Sequence, residues 1–191
     1  MPQAIEIIRD EHRAMTSVMQ ALRILSRKAA RAGLPPDFAW LRNILAYLDR
    51  YPERQHHPKE ERYLLSVLER REPKLARTIM RLQRDHRASA GYIVRMRETL
   101  GWWEKGDARA PTMFVHMATD YAHFNRGHMR TEEKEILPAA LALLSQAEWR
   151  DIDTAFAANA DPVAASGGKA ECLAALQGLQ SNQSVRKDQA A

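Results

Sequence analysis

Apolar residues recur at three- and four-residue steps through four long stretches of this chain, and each stretch holds at least one histidine. That spacing is one face of an α-helix. Ile5, Ile8, His12, Met15, Met19, Leu22 and Leu25 carry the first stripe, from about residue 2 to 32. Pro2 suits a first helical turn, and Gly33 followed by Leu34-Pro35-Pro36 ends the helix. Asp37 is a good N-cap for the second helix, whose face holds Trp40 or Leu41, then Ile44, Leu45 and Leu48. Pro52 and Pro58 each remove a backbone N–H there. The pattern resumes at Tyr63, Leu64, Val67 and Leu68, which predicts one bent helix or two stacked pieces ending near Glu72-Pro73.

The third stripe, over about 73–105, is Leu75, Ile79, Leu82, His86, Ala90, Ile93, Met96 and Leu100, with Gly101 and Gly106 bracketing its end. The fourth begins near Pro111 with Phe114, Met117, Tyr121, Phe124, His128 and Glu132, and passes Pro138 to Leu144. Ser145 caps a short fifth helix bearing Trp149, Ile152 and Phe156. Short connections between long helices predict an all-α, up-down-up-down four-helix bundle over 1–160, with a short C-terminal fifth helix. Past Asp161-Pro162 the composition shifts to Ser166-Gly167-Gly168 and a polar end, so 161–191 is expected to be a flexible tail with room for a short helix at 169–180.

A net charge of +5 raises the question of a nucleic-acid or membrane partner. The cations are spread through every segment and interleaved with Glu and Asp, so they describe a solvated helix surface and neither partner is expected. Cys172 is the one cysteine, which excludes an internal disulfide or a thiolate metal site. The N-terminus enters an amphipathic pattern without a basic start and apolar run. No apolar stretch approaches the roughly 20 residues of a membrane span. The expected location is the cytoplasm.

The histidines carry the chemistry. His12, His56, His86 and His128 fall one per long helix, and a core built only for packing would use Leu in their place. Glu60 follows His56 by four residues and Glu132 follows His128 by four, so each pair shares a helix face about 6 Å apart along the axis. Buried carboxylates are strongly disfavoured unless something compensates their charge. A bound cation does so, and the two His-x-x-x-Glu pairs are therefore expected to be halves of one metal site. Its ligands are nitrogen and oxygen only, which suits non-haem iron and also admits Zn or Mn. His57 and Glu61 repeat the spacing one residue on, rotated by about 100°, and the kink at Pro58 leaves that register as an alternative. His116 and His123 are expected either at the surface or just behind the ligands, while Tyr47, Tyr51 and Tyr121 either donate hydrogen bonds near the site or simply pack.

The stretches Asp10-Glu11-His12, His56-His57-Pro58-Lys59-Glu60-Glu61, Gln83-Arg84-Asp85-His86 and His128-Met129-Arg130-Thr131-Glu132-Glu133 together resemble the bacterial hemerythrin-like (HHE cation-binding) domain family, over about residues 3 to 160. That resemblance implies a four-helix bundle holding two iron ions in an oxo- or hydroxo- and carboxylate-bridged centre. His12, His56, His86 and His128 are then terminal ligands and Glu60 and Glu132 bridges, which favours the His56/Glu60 register. Oxygen-carrying members have two third-helix histidines four residues apart. Here the residues four after and four before His86 are Ala90 and Leu82, so one histidine is lacking and a water, a hydroxide or another side chain is left to fill its place. The resemblance implies a protein that binds, senses or reacts with O2, NO or peroxide, or handles iron, rather than a dedicated enzyme. Iron–sulfur cluster repair or NO and peroxide detoxification is the alternative, although relatives linked to repair carry an added cysteine-bearing domain. A metal-free interaction module is a third reading, and it leaves the four histidines unexplained.

Overall fold

The first helix follows its stripe. In the computed structural model, which describes residues 1–159 and 163, α1 runs Gln3–Ala32 and buries Ile5, Ile8, Met15, Met19 and Leu22. Gly33 ends it in the left-handed conformation at φ 62°, where its N–H reaches the carbonyls of Ala29 and Ala30. The Asp37 side chain accepts from the Trp40 N–H at 2.9 Å and opens α2. Both Trp40 and Leu41 are buried.

α2 spans residues 38–71 without a break, and the prolines change its winding instead of ending it. Phe38–Leu48 and Ser66–Arg71 are α-helical, while Asp49–His56 and Glu60–Leu65 are π-helical around the short α-turn His57–Lys59. A 3₁₀ turn, Pro73–Leu75, leads to α3, Ala76–Glu104. α4 spans 110–143. Its α-helical part Ala110–Thr131 passes through a π turn, Glu132–Ile136, into Leu137–Leu143. α5, Gln146–Ala157, opens with a full capping box between Ser145 and Glu148.

The four long helices form an up-down-up-down bundle in which α1 and α3 each lie between α2 and α4. α5 lies along α1 and touches the second π turn of α2. There is no strand among the described residues, and no helix there is long and apolar enough to cross a membrane. The expected tail and its short helix at 169–180 lie outside the described residues, except Val163, which is buried against the core.

The apolar interior divides in two. One core holds Met15, Leu22, Leu48, Ile93, Met96 and Phe114; the other holds Ile8, Leu64, Leu82, Ile136, Ile152 and Phe156. In every long helix a histidine stands at the junction of the two: His12 between Ile8 and Met15, His56 between Leu48 and Leu64, His86 between Leu82 and Ile93, and His128 beside Met129, the last first-core residue before Ile136. Two oily ends thus enclose one polar layer. One position in the predicted stripe of α3 is corrected: Ala90 is exposed, and Ser89 is buried in its place.

Phe156 is fully buried in the second core and sets its ring edge-on to His56 at 6.1 Å. Phe156→Ala is expected to cost about 3–5 kcal/mol, from lost transfer energy and the cavity left behind. Urea unfolding of the full chain, read as a lowered midpoint, measures it.

Candidate metal centre

The centre begins with the backbone of α2. Pro52 and Pro58 leave carbonyls one turn upstream without their usual donors. A π turn meets that shortage by reaching one residue further. The His57 N–H bonds the carbonyl of Pro52 and the Ser66 N–H that of Glu61, each five residues back. In α4 the Leu137 N–H likewise reaches Glu132, just before Pro138. Holding an extra residue in the turn changes which side chains face inward. His56 and His57, adjacent in sequence, are both buried, at 2% and 4% exposure.

All six residues expected to bind metal meet in the polar layer: His12, His56, Glu60, His86, His128 and Glu132 are buried there. Glu60 lies with its Oε1 3.2 Å from His56 Nε2 and its Oε2 3.6 Å from His86 Nε2. Glu132 sets Oε2 3.4 Å from His12 Nε2, and Oε1 2.9 Å from His128 Nε2 and 3.7 Å from His86 Nε2. Each carboxylate therefore turns one oxygen toward the His12/His56 side and the other toward the His86/His128 side. Ligand atoms of His12, His56 and Glu60 lie within 4.8 Å of one another, as do those of Glu60, His86, His128 and Glu132. His57 joins His86 and His128 in a third such group. The alternative pair His57/Glu61 is not a pair at the centre: Glu61 is partly exposed and faces His86 Nδ1 from outside at 2.8 Å.

The outer ring nitrogens show what the sequence reading missed. His12 Nδ1 meets Glu133 at 2.9 Å, His56 Nδ1 meets Glu11 at 2.7 Å and His57 Nδ1 meets Glu53 at 3.3 Å. An Nδ1–H held by a carboxylate leaves the Nε2 lone pair facing inward, as a metal ligand requires. Glu11 is held in turn by the Asn159 amide, which donates to it at 2.8 Å, and Lys59 reaches Asn159. These acids had a legible signal, since Glu11, Glu61 and Glu133 each adjoin an expected ligand in sequence. Asp85, also next to one, stands 3.8 Å from His128 Nδ1, beyond hydrogen-bond reach. Of the two places open to them, His116 and His123 take the surface. Tyr47 and Tyr51 lie ring to ring at 5.1 Å in and against the first core, and Tyr121 is buried beside Ser89 and Asn125.

The residues present fit a cation. Glu60 Oε1 and Oε2, Glu132 Oε1 and Oε2, His12 Nε2 and His56 Nε2 are buried with no hydrogen-bond partner. Six converging orphan atoms are costly in a dry interior unless a positive ion takes them up. Without one, ring protons supply the counter-charge. Burial opposes the charge on His56, but Glu60 and Glu11 outweigh it and hold the ring well above the usual histidine range. His86 is raised in the same way, against burial, chiefly by Glu132 and Glu60. Burial would lift Glu132, yet His128, His86 and His12 bring it well below the usual carboxylate range. His57 goes the opposite way: burial, then the neighbouring His86, His56 and His128 rings, keep it neutral. Burial pushes the Glu53 carboxyl up to about 7.

A helical bundle with a buried layer of converging imidazoles and carboxylates defines a class of cation-binding protein. Comparison with protein families matches residues 3–140 to the hemerythrin HHE cation binding domain. The chain belongs to that family, and the buried His/Glu cluster is compatible with metal binding. A search of curated proteins found no match to the chain.

The titrations predict opposite pH responses for the two forms. A raised histidine stabilises the fold fully below its unfolded value near 6.5, and that contribution is lost as pH rises through the higher folded value. His56 and His86 both act this way. His57, which is lowered, works against them only until its unfolded form has lost its proton, by about pH 7.5, and the two raised rings outweigh it. Chelator-treated protein should therefore lose stability from pH 6.5 to 9. Metal affinity should rise over the same interval, because binding displaces those ring protons. Urea midpoints and metal titrations at each pH check the two directions.

Proposed function

We propose that this chain is a non-haem di-iron protein that binds or senses a small oxidant or diatomic molecule, O2, NO or peroxide. The observation that carries this reading is the posture of Glu60 and Glu132. Each has both oxygens buried and without a hydrogen-bond partner, one turned to each side of the layer. A carboxylate serving one ion has no need of that posture, whereas one bridging two ions does. An all nitrogen-and-oxygen donor set suits iron, with Zn and Mn as competitors. Two irons held there would supply a redox pair with an open position for a small molecule.

The chain's own residues do the rest. His12 and His56 serve one ion, His86 and His128 the other. Glu133, Glu11 and Glu61 hold three of those rings in the ligand tautomer. The two apolar cores above and below exclude bulk water, which protects a reactive ion from side reactions and strengthens every charge interaction in the layer. The cytoplasm, where iron and these small molecules meet, is the proposed location.

Native protein should contain about two irons per chain, as carboxylate-bridged bundles of this kind do. Adding O2 and then NO to the reduced protein should change its optical spectrum in two distinct steps. Glu60→Gln and Glu132→Gln should each lower the iron content by half or more while far-UV circular dichroism stays unchanged. Iron-free native protein, or full metal uptake by both variants, would sink the proposal.

A further inference from the structure

The layer holds five inward histidines, one more than the four assigned above. His57 is 4% exposed and lies flat on His86, ring centroids 4.2 Å apart at 12°. It meets His128 edge-on at 5.5 Å. One ring nitrogen from each of the three lies within 4.8 Å of the others. Resting on the di-metal reading, we propose that His57 is the third imidazole ligand of the ion on the His86/His128 side, supplied by α2 where α3 offers none.

Three independent features support this. The first is the backbone. The π turn at Asp49–His56 runs directly into His57, whose N–H closes it onto the Pro52 carbonyl, and both neighbouring rings are buried there. The second is orientation. His57 Nδ1 faces Glu53 at 3.3 Å, the arrangement that His12, His56 and His86 share with their own carboxylates, so Nε2 is the atom left for the centre. The third lies on α3. The position four residues after His86 is Ala90, which is exposed, and the buried neighbour is Ser89. The Ser89 hydroxyl donates to Glu53 at 2.5 Å. The third helix thus supports the ligand through Ser89 and Glu53 without providing one. Glu53 is a positioning residue: it touches the ring and not the ion.

The test uses the full chain with Zn(II), whose diamagnetism allows ring nitrogens to be followed directly. In 15N-histidine-labelled wild type, Zn(II) titration should shift five of the seven imidazoles, with His116 and His123 unmoved. His57→Phe keeps the stacked ring and removes the nitrogen. It should hold the first ion with wild-type affinity and weaken the second by at least about tenfold in a chelator competition, as should Glu53→Gln, at roughly 10–100-fold. His57→Ala should recover the second ion when free imidazole is added. Four shifting imidazoles in the wild type, or two ions bound at unchanged affinity by His57→Phe, would overturn the His57 assignment and leave the di-metal reading standing. Fewer than two ions on the wild type would overturn both. The wild-type nitrogen count holds even if a variant fails to fold.

Discussion

Two carboxylates and five imidazoles stand in one dry layer, and everything else in this molecule answers to that. Neither Glu60 nor Glu132 has a hydrogen-bond donor among its neighbours beyond the histidine rings. In a low-dielectric interior such groups persist only against positive charge, carried by ring protons or by a cation. The raised His56 and His86 and the depressed Glu132 are the electrostatic imprint of that demand. Splitting the apolar interior into two cores follows from the same demand, since a continuous greasy core would have to bury these charges with nothing opposite them.

The helices are shaped to the layer and not only to each other. Regular α-helices would serve α1 and α3, and those two are regular. The two helices that carry carboxylates into the centre are the two that contain π turns, and Glu60 and Glu132 each begin one. π turns are uncommon and concentrate at functional sites. Here the prolines at 52, 58 and 138 make them favourable locally, by removing donors that α-helical ladders need. Sequence, backbone and site thus agree, which is the signature of a chain specified at several levels at once. Outside the layer, Glu11 ties the site to the C-terminal end of the bundle through Asn159, so that docking of α5 and orientation of His56 are one event.

Much of this was legible in the residues. The spacing of Ile5, Ile8, His12 and Met15, and of its counterparts, fixes both the helices and which histidines point inward, because burial and periodicity are the same signal. Asp37, Gly33 and Ser145 mark ends that the structure keeps. The six expected ligands meet because i and i+4 share a face whether or not a turn is widened slightly. What was not legible is what depends on where the extra residue of each π turn sits. Periodicity assumes about 3.6 residues per turn, and at that pitch His56 and His57 compete for one direction. The widened turn runs into this pair, and both face in. Ala90 shows the same limit from the other side. It continues an apolar pattern, but Ala fits either face, and the chain gives the inward place to Ser89 for its hydrogen bond to Glu53.

The wide turn before His57 also separates how this chain can change in length from how it can change in composition. A π turn is an α-helical ladder that has absorbed one more residue. Leu48 before it and Leu64 after it stay buried, each in its own core. Loss of one residue within 49–56 would fall between the two cores and directly before the paired histidines. Its effect would be felt first at the centre, where the register of His56 and His57 is set. A change of length here would therefore act on the centre before it acts on either core, and the turn that places the paired histidines is also where the cluster is most sensitive to a shift of register.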